Sequence, residues 1–270
     1  MHKTILITGA TDGIGLEAAK LLAASGHHLL LHGRNPEKLQ QAIEAMQPGS
    51  GRVAGYVADL SRVDEVESFA EEVANAHDSL DVLINNAGVF RVPNPRTDDN
   101  LDVRFLVNTI APFLLTRRLL PLFGPSGRVI NLSSAAQAPV NLRALAGEVQ
   151  LPDNAAYAQS KLAITMWSSA LAASLGAKGP TVVAVNPGSM LGTKMVKEAY
   201  GVPGGDIRIG AEILCRAALS AEFADASGKY FDNDAGRFAP PHPDALDPRK
   251  SQDVVRAIEA TLGRLEGRRP

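Results

Sequence analysis

The chain has 270 residues, 45% hydrophobic and 21% charged, a composition that suits one large folded domain or two small ones. Its formal net charge of −2 supplies no broad basic field, which argues against nucleic acid or an anionic membrane surface as a partner. The single cysteine, Cys215, excludes an internal disulfide, and the six histidines (2, 27, 28, 32, 77 and 242) show no metal-ligand spacing.

In chain order, short aliphatic runs alternate with longer helical patterns. The run "KTILIT" begins almost at the N-terminus, with no room for a secretory leader, so the expected location is cytoplasmic. It leads into the helix "GLEAAKLLAASG", which Gly26 ends. "HHLLLHG" precedes "PEKLQQAIEAM", with Pro36 suited to a first helical turn, and "RVAGYVADL" precedes "VDEVESFAEEVANAH". "LDVLINNAG" precedes an apolar segment over 99–122. Asn108, Pro112, Arg117 and Arg118 interrupt that segment, so no membrane span is expected. "GRVINLSS" leads to "AAYAQSKLAITMWSSALAASLG", and "PTVVAVNPG" leads to "IRIGAEILCRAALS", where Cys215 reads as a buried structural thiol. "GKYFDND" is a last strand, and the closing "GRLEGRRP" reads as a solvated tail.

Strands that are apolar without alternation are buried on both faces. The expected fold is therefore α/β: a doubly wound, Rossmann-type, mostly parallel seven-stranded sheet with helices on both faces. No linker or repeat divides the chain, so residues 1–270 are read as one domain.

The first strand-to-helix turn, "TGATDGIG", carries Thr8, Gly9, Gly13 and Gly15. A turn without side chains lets a diphosphate approach the backbone and sit against the positive end of the helix. No Gly-Lys-Ser/Thr follows, which disfavours a nucleoside triphosphatase loop. The glycine spacing is Gly-x-x-x-Gly-x-Gly, and later strand ends carry "NNAG" (85–88), "NLSS" (131–134) and "NPG" (186–188). "VN" with Asn108 lies in one helix, and "YAQSK" (157–161) opens another. With these motifs the chain resembles the short-chain dehydrogenase/reductase family from Thr8 to about Asp232.

The resemblance implies hydride transfer between a nicotinamide and a carbonyl or alcohol carbon, a reaction that needs a proton donor beside the carbonyl oxygen. Tyr157 is then the acid/base, and Lys161 tunes it and holds the nicotinamide ribose. A free tyrosine titrates near 10, and a neighbouring ammonium lowers that value. Asn108 would hold a water in the proton relay, and Ser134, in preference to Ser133, would orient the substrate oxygen. The cofactor would lie along Gly9, Thr11, Asp12, Gly13, Ile14 and Gly15. Asp59 and Leu60 would frame the adenine. Asn86, Ala87, Gly88, Pro187, Gly188 and Thr193 would follow, with Tyr157 and Lys161 at the nicotinamide end. No acidic residue ends the second strand, and Arg34 there suits a 2′-phosphate, so NADP(H) is expected ahead of NAD(H), with Asp12 a contrary signal.

Between Ser134 and Tyr157 the chain is longer than the family's commonest pattern, and the extra residues resemble the retinol-dehydrogenase-like and protochlorophyllide-reductase-like branch. Loops at 135–153 and 189–206 are expected to border the substrate. Met190, Leu191, Met195, Val196 and Tyr200 suggest a largely apolar carbonyl compound or alcohol. The helix from Tyr157 has apolar residues on more than one face (Leu162, Met166, Trp167, Leu171), which suggests a homodimer or homotetramer. A competing reading is a cofactor-binding sensor that keeps the fold without turnover; retention of Asn108, Ser134, Tyr157 and Lys161 favours catalysis. The sugar-nucleotide epimerase branch shares Tyr-x-x-x-Lys but has another glycine spacing.

Overall fold

The structure, a computed structural model, describes residues 2–46 and 51–267. Its centre is a sheet whose strands are β1 (Thr4–Ile7), β2 (His28–Gly33), β3 (Val53–Val57), β4 (Val82–Asn85), β5 (Arg128–Leu132), β6 (Thr181–Asn186), β7 (Tyr230–Asp232) and β8 (Arg237–Phe238). They lie in the order β3-β2-β1-β4-β5-β6-β7-β8. Every pairing is parallel except β7 with β8. Alternation explains why the strands read as unbroken apolar runs. In β1, Ile5 and Ile7 join one hydrophobic layer and Leu6 the other.

One layer is covered by α1 (Gly13–Ala24), α2 (Pro36–Glu44) and α9 (Arg208–Leu219). The other is covered by α3 (Val63–Ala76), by α4 (Val103–Phe105) running through a π-turn (Leu106–Ile110) into α5 (Ala111–Leu119), and by α7 (Asp153–Leu175) and α10 (Pro248–Glu266). Two shorter helices, α6 (Leu142–Leu145) and α8 (Lys194–Tyr200), lie in the loops before α7 and after β6. Because β1 pairs with both β2 and β4, the winding direction reverses at β1. The crevice beyond its carboxyl end is where an open α/β sheet binds ligands.

Three features differ from the sequence reading. The sheet has eight strands rather than seven. β8 is only two residues long, too short for periodicity to reveal, and Phe238 holds it in place by packing 5.1 Å from the rings of both Phe223 and Phe231. Second, α10 was not expected. It places Val254, Ile258, Leu262 and Leu265 in the same core as Leu162, Met166 and Trp167 of α7. Full burial of such a side chain is worth about 1.5–3 kcal/mol, so apolar cover for α7 that sequence reading sought in a second copy comes from the chain itself. Third, residues 263–266 of the expected tail end α10, while 268–270 lie outside the described residues.

The segment Val103–Leu122 is long and apolar enough to cross a membrane by length and composition, but it is 72% buried inside the fold as a core helix. Cys215, on α9, turns its thiol toward the Ala18 carbonyl of α1, and burial pushes its pKa up to about 12, as suits a structural thiol.

Candidate active site

The turn from β1 to α1 is held by partners from two neighbouring strands. Gly9 has φ +66°, and a Cβ there would stand 2.9 Å from Cα of Ala87, so glycine is required on both counts. The Thr8 hydroxyl accepts hydrogen bonds from the N–H groups of Asn86 and Ala87, both at 3.1 Å. Asn86 Nδ2 donates to the carbonyls of Thr8 and Gly9, both at 2.9 Å. Gly15 is glycine for the same reason: a Cβ would meet Asn86 Nδ2 at 2.4 Å. The Asn86 side chain thus latches the turn and leaves only its backbone to a cofactor.

His32, which sequence reading passed over, completes the latch from β2. Its Nδ1 accepts from Gly9 N at 3.2 Å, and its Nε2 bonds the Ala58 carbonyl at 3.0 Å. Burial lowers its pKa to about 4, so the neutral ring serves both partners. A histidine at the end of the aliphatic run "HLLLHG", directly before Gly33, was the available signal.

Asp12 caps α1, accepting from Gly13 N at 2.7 Å. Among the described residues, no acceptor faces the N–H groups of Ile14 and Gly15, which leaves donors at the helix start. Thr11 is half-buried in the same turn. Arg34 follows β2 on the surface, with no ion pair among the described residues. The Asp59 carboxylate is held by Ser61, whose N–H and hydroxyl donate at 2.9 and 2.7 Å, while Leu60 turns its side chain into the core.

On the other side of the crevice, Ser133 and Ser134 divide their roles by burial. Ser133 is 3% exposed and bonds the Lys161 carbonyl (3.1 Å) and the Thr165 hydroxyl (2.7 Å), so it packs β5 on α7. Ser134 is the serine whose side chain pulls down on the Tyr157 phenol, and its Oγ accepts from Ala136 N at 3.1 Å. Its backbone carbonyl accepts from Tyr230 Oη (3.1 Å) and Gln137 Nε2 (3.0 Å).

Tyr157 lies under Phe90, with ring centroids 4.7 Å apart, and Phe90 lies 6.1 Å from the ring of Tyr200 on α8. Lys161 is buried; its Nζ donates to the Leu132 carbonyl at 2.7 Å and stands 5.8 Å from the Tyr157 ring. Burial lowers the Lys161 pKa to about 8. Burial also raises the Tyr157 phenol above its ordinary value, against the Ser134 side chain, which pulls it down. The sequence reading expected the ammonium and an oxidised nicotinamide together to lower the phenol. The difference has a physical cause: the ammonium is turned to a carbonyl, and desolvation of the ring dominates.

Asn108 sits in the π-turn. Its side chain bonds both backbone groups of Val89 (2.8 Å accepting, 2.9 Å donating), and its Nδ2 also reaches Ser160 Oγ at 3.0 Å. Four residues on, Pro112 has no N–H to offer the Asn108 carbonyl. Gly88 faces this group: a Cβ there would lie 3.4 Å from Asn108 Oδ1 and 3.5 Å from Lys161 Nζ.

After β6, Asn186 Nδ2 donates to Asp232 (2.8 Å) and Asp234 (2.9 Å), and the Pro187 carbonyl accepts from Asn233 Nδ2 at 2.9 Å. Gly188, with φ +125°, turns the chain. Thr193 caps α8, its Oγ1 accepting from Val196 N at 3.2 Å, and its methyl faces Gly13 across the crevice.

The expected catalytic residues are thus gathered at one end of the crevice and the glycine turn at the other. The partners that hold them, Phe90, His32, Tyr230 and Asp234, went unread because each acts across a long sequence separation.

Comparison with known proteins agrees with this fold. The family model described as short chain dehydrogenase matches residues 3–201. Human retinol dehydrogenase 13 is 32% identical over 295 aligned positions, covering 98% of this chain and 85% of its own. A protein from Mycobacterium Paratuberculosis has a solved structure that superposes with a TM-score of 0.78 at 28% identity, covering 96% of this chain and 92% of that one. The angucycline C-6 ketoreductase LanV, solved with bound NADP, gives a TM-score of 0.70 at 25% identity, covering 86% and 93%. The chain belongs to the short-chain dehydrogenase family, among its retinol-dehydrogenase-like members.

Proposed function

We propose that this chain uses NADP(H) to interconvert a carbonyl compound and its alcohol, with Tyr157 as the acid and base. The observation that carries the reading is the Tyr157 ring beneath Phe90, with the buried Lys161 Nζ 5.8 Å from it. The family and the NADP complex of LanV support the cofactor. The residues fit it: the N–H groups of Ile14 and Gly15, which meet no acceptor among the described residues, suit a diphosphate, and Arg34, in no ion pair among the described residues, suits a 2′-phosphate. When bound, the nicotinamide supplies or takes the hydride.

The protein's own residues handle the proton. Ser134 and Tyr157 together hold the carbonyl oxygen by hydrogen bonds, and Tyr157 gives it a proton as negative charge develops. Lys161, charged below about pH 8, holds the ribose and favours the phenolate left behind. Phe90 and Tyr200 exclude water and present an apolar wall, which supports a largely apolar substrate bordered by 135–153 and 189–206.

The test is NADPH oxidation against a panel of apolar ketones and aldehydes, with Tyr157→Phe beside the wild type. General acid catalysis contributes about 10²–10⁴-fold, so the variant should lose that much kcat while NADPH affinity stays within twofold. Activity within threefold of wild type would remove Tyr157 from the role. Tight NADPH binding without turnover on any carbonyl would instead favour a sensor.

A further inference from the structure

Arg104 is fully buried (0% exposed) and has no part in the proposed chemistry. Its Nε donates to Asp102 Oδ1 at 2.8 Å and its Nη2 to Asp102 Oδ2 at 2.7 Å, a two-point fork. Asp102 also caps α4 by accepting from Arg104 N at 2.9 Å. The remaining nitrogen, Nη1, donates to Asp153 Oδ1. Asp153 is the first residue of α7, and α7 has no side-chain cap at its start, where Pro152 precedes it. Arg104 therefore supplies a polar anchor for an otherwise uncapped helix.

Position along α7 gives this anchor its meaning. Asp153 stands one helical turn before Tyr157 and two before Lys161, on one face. Beyond Tyr157, α7 is pinned a second time: Asn108 Nδ2 donates to Ser160 Oγ at 3.0 Å, and Thr109 Oγ1 donates to the Ser160 carbonyl at 2.8 Å. Both pins come from residues 104–109, and Tyr157 lies between them.

Charge alone does not call for Asp153. Asp102 already neutralises Arg104, and Asp153 takes the cluster to a net charge of −1. The Asp153 side chain is 47% exposed, where an ion pair adds little to stability. Its role is then geometric.

We infer that Arg104 and Asp153 form a positioning couple that sets the first turns of α7, so that Tyr157 keeps its place beneath Phe90 at the crevice. The inference rests on Tyr157 as the proton donor. Displacing a reacting group by about 1 Å can cost on the order of 10²-fold in rate.

The experiment compares wild type with Asp153→Ala and with Asp153→Asn, which retains an acceptor oxygen. In the free protein, hydrogen exchange in the peptide covering 153–160 should quicken about tenfold or more in Asp153→Ala, while the rest of α7 and the Tm stay close to wild type. With a carbonyl that the wild type reduces, kcat should fall about tenfold or more with the KM for NADPH within twofold. Asp153→Asn should restore most of both. Unchanged exchange over 153–160, an unchanged kcat, or no rescue by asparagine would overturn the couple. Should the wild type reduce nothing, the proposed function fails, and the exchange measurement alone decides whether Arg104 anchors α7.

Discussion

Among single residues, Arg34 carries the clearest expectation about cofactor choice. It is exposed and without an ion pair among the described residues, so its charge is available to a phosphate at the end of β2. A charge-assisted hydrogen bond is worth about 1.5–3 kcal/mol. Arg34→Ala should therefore weaken NADPH about ten- to a hundredfold and leave NADH, which has no phosphate there, nearly unchanged. Fluorescence titration of both cofactors against both proteins checks this; equal losses would make Arg34 structural. Asp12 pulls the other way only if it faces the phosphate, and its capping bond to Gly13 N gives it a structural task as well. At this scale Tyr157 and Lys161 were assigned through resemblance, and what the residues alone give is their i,i+4 spacing on one face of α7. Ser134 was preferred over Ser133 by resemblance, and the physical distinction, burial against α7, needs the packed helix. Phe90 and His32 stayed unread because their partners lie 67 and 26 positions away: Tyr157 for one, Ala58 for the other.

Among elements, the segment over 189–206 is a closed loop with a pinned base. Gly192 N donates to the Gly205 carbonyl at 2.7 Å, and Gly205 N donates to the Met190 carbonyl at 2.8 Å. Between these bonds the chain rises through α8 and returns, with Tyr200 reaching Phe90. Gly204 has φ +74°, and a Cβ there would stand 2.7 Å from the Gly192 backbone, so Gly204→Ala must open the base. Protease cleavage within 189–206 should then rise several-fold, with kcat/KM falling and the Tm little changed, because α8 buries little. In the wild type, NADPH should slow exchange across this segment; equal exchange with and without it would argue against closure. The glycines and proline here were readable as breakers, but not their pairing, which joins residues 13 positions apart. The extra residues before Tyr157 show the opposite. They read as a loop bordering the substrate, and part of that loop also packs into the fold: Ala144 and Leu145 are buried in the main core, and Arg264 Nη2 of α10 donates to the Ala146 carbonyl at 2.8 Å. Because α10 was not foreseen, nothing in the sequence showed what that insertion could pack against.

For the molecule as a whole, stability against pH follows from which groups are buried away from their ordinary titration. On the alkaline side the effects oppose each other. The Cys215 thiol, raised to about 12, contributes stability that is lost as pH climbs from 9 toward 12. Lys161, lowered to about 8, costs stability while charged and returns it between 8 and 10.5. The acid side is simpler. His32 titrates near 6.5 when unfolded and at about 4 when folded, so between those values the unfolded chain binds more protons. Its contribution is therefore fully present above pH 6.5 and is lost as pH falls toward 4. Through linkage this amounts to about 2 kcal/mol between pH 7.5 and 5, and about 3 kcal/mol in full. His27 is lowered too and adds in the same direction, whereas Asp64 and Asp234, held below 3.8, act only at lower pH. The loss has a structural address, because protonating Nδ1 removes the acceptor for Gly9 N and loosens the turn expected to hold the diphosphate. Urea unfolding of wild type and His32→Gln at pH 7.5, 6 and 5 measures the effect. Glutamine takes up no proton in this range, so the variant should start less stable at pH 7.5 and lose about 2 kcal/mol less on acidification. Parallel slopes for the two proteins would mean that His32 is protonated in the fold without penalty, and that the latch on Gly9 does not depend on its neutral ring.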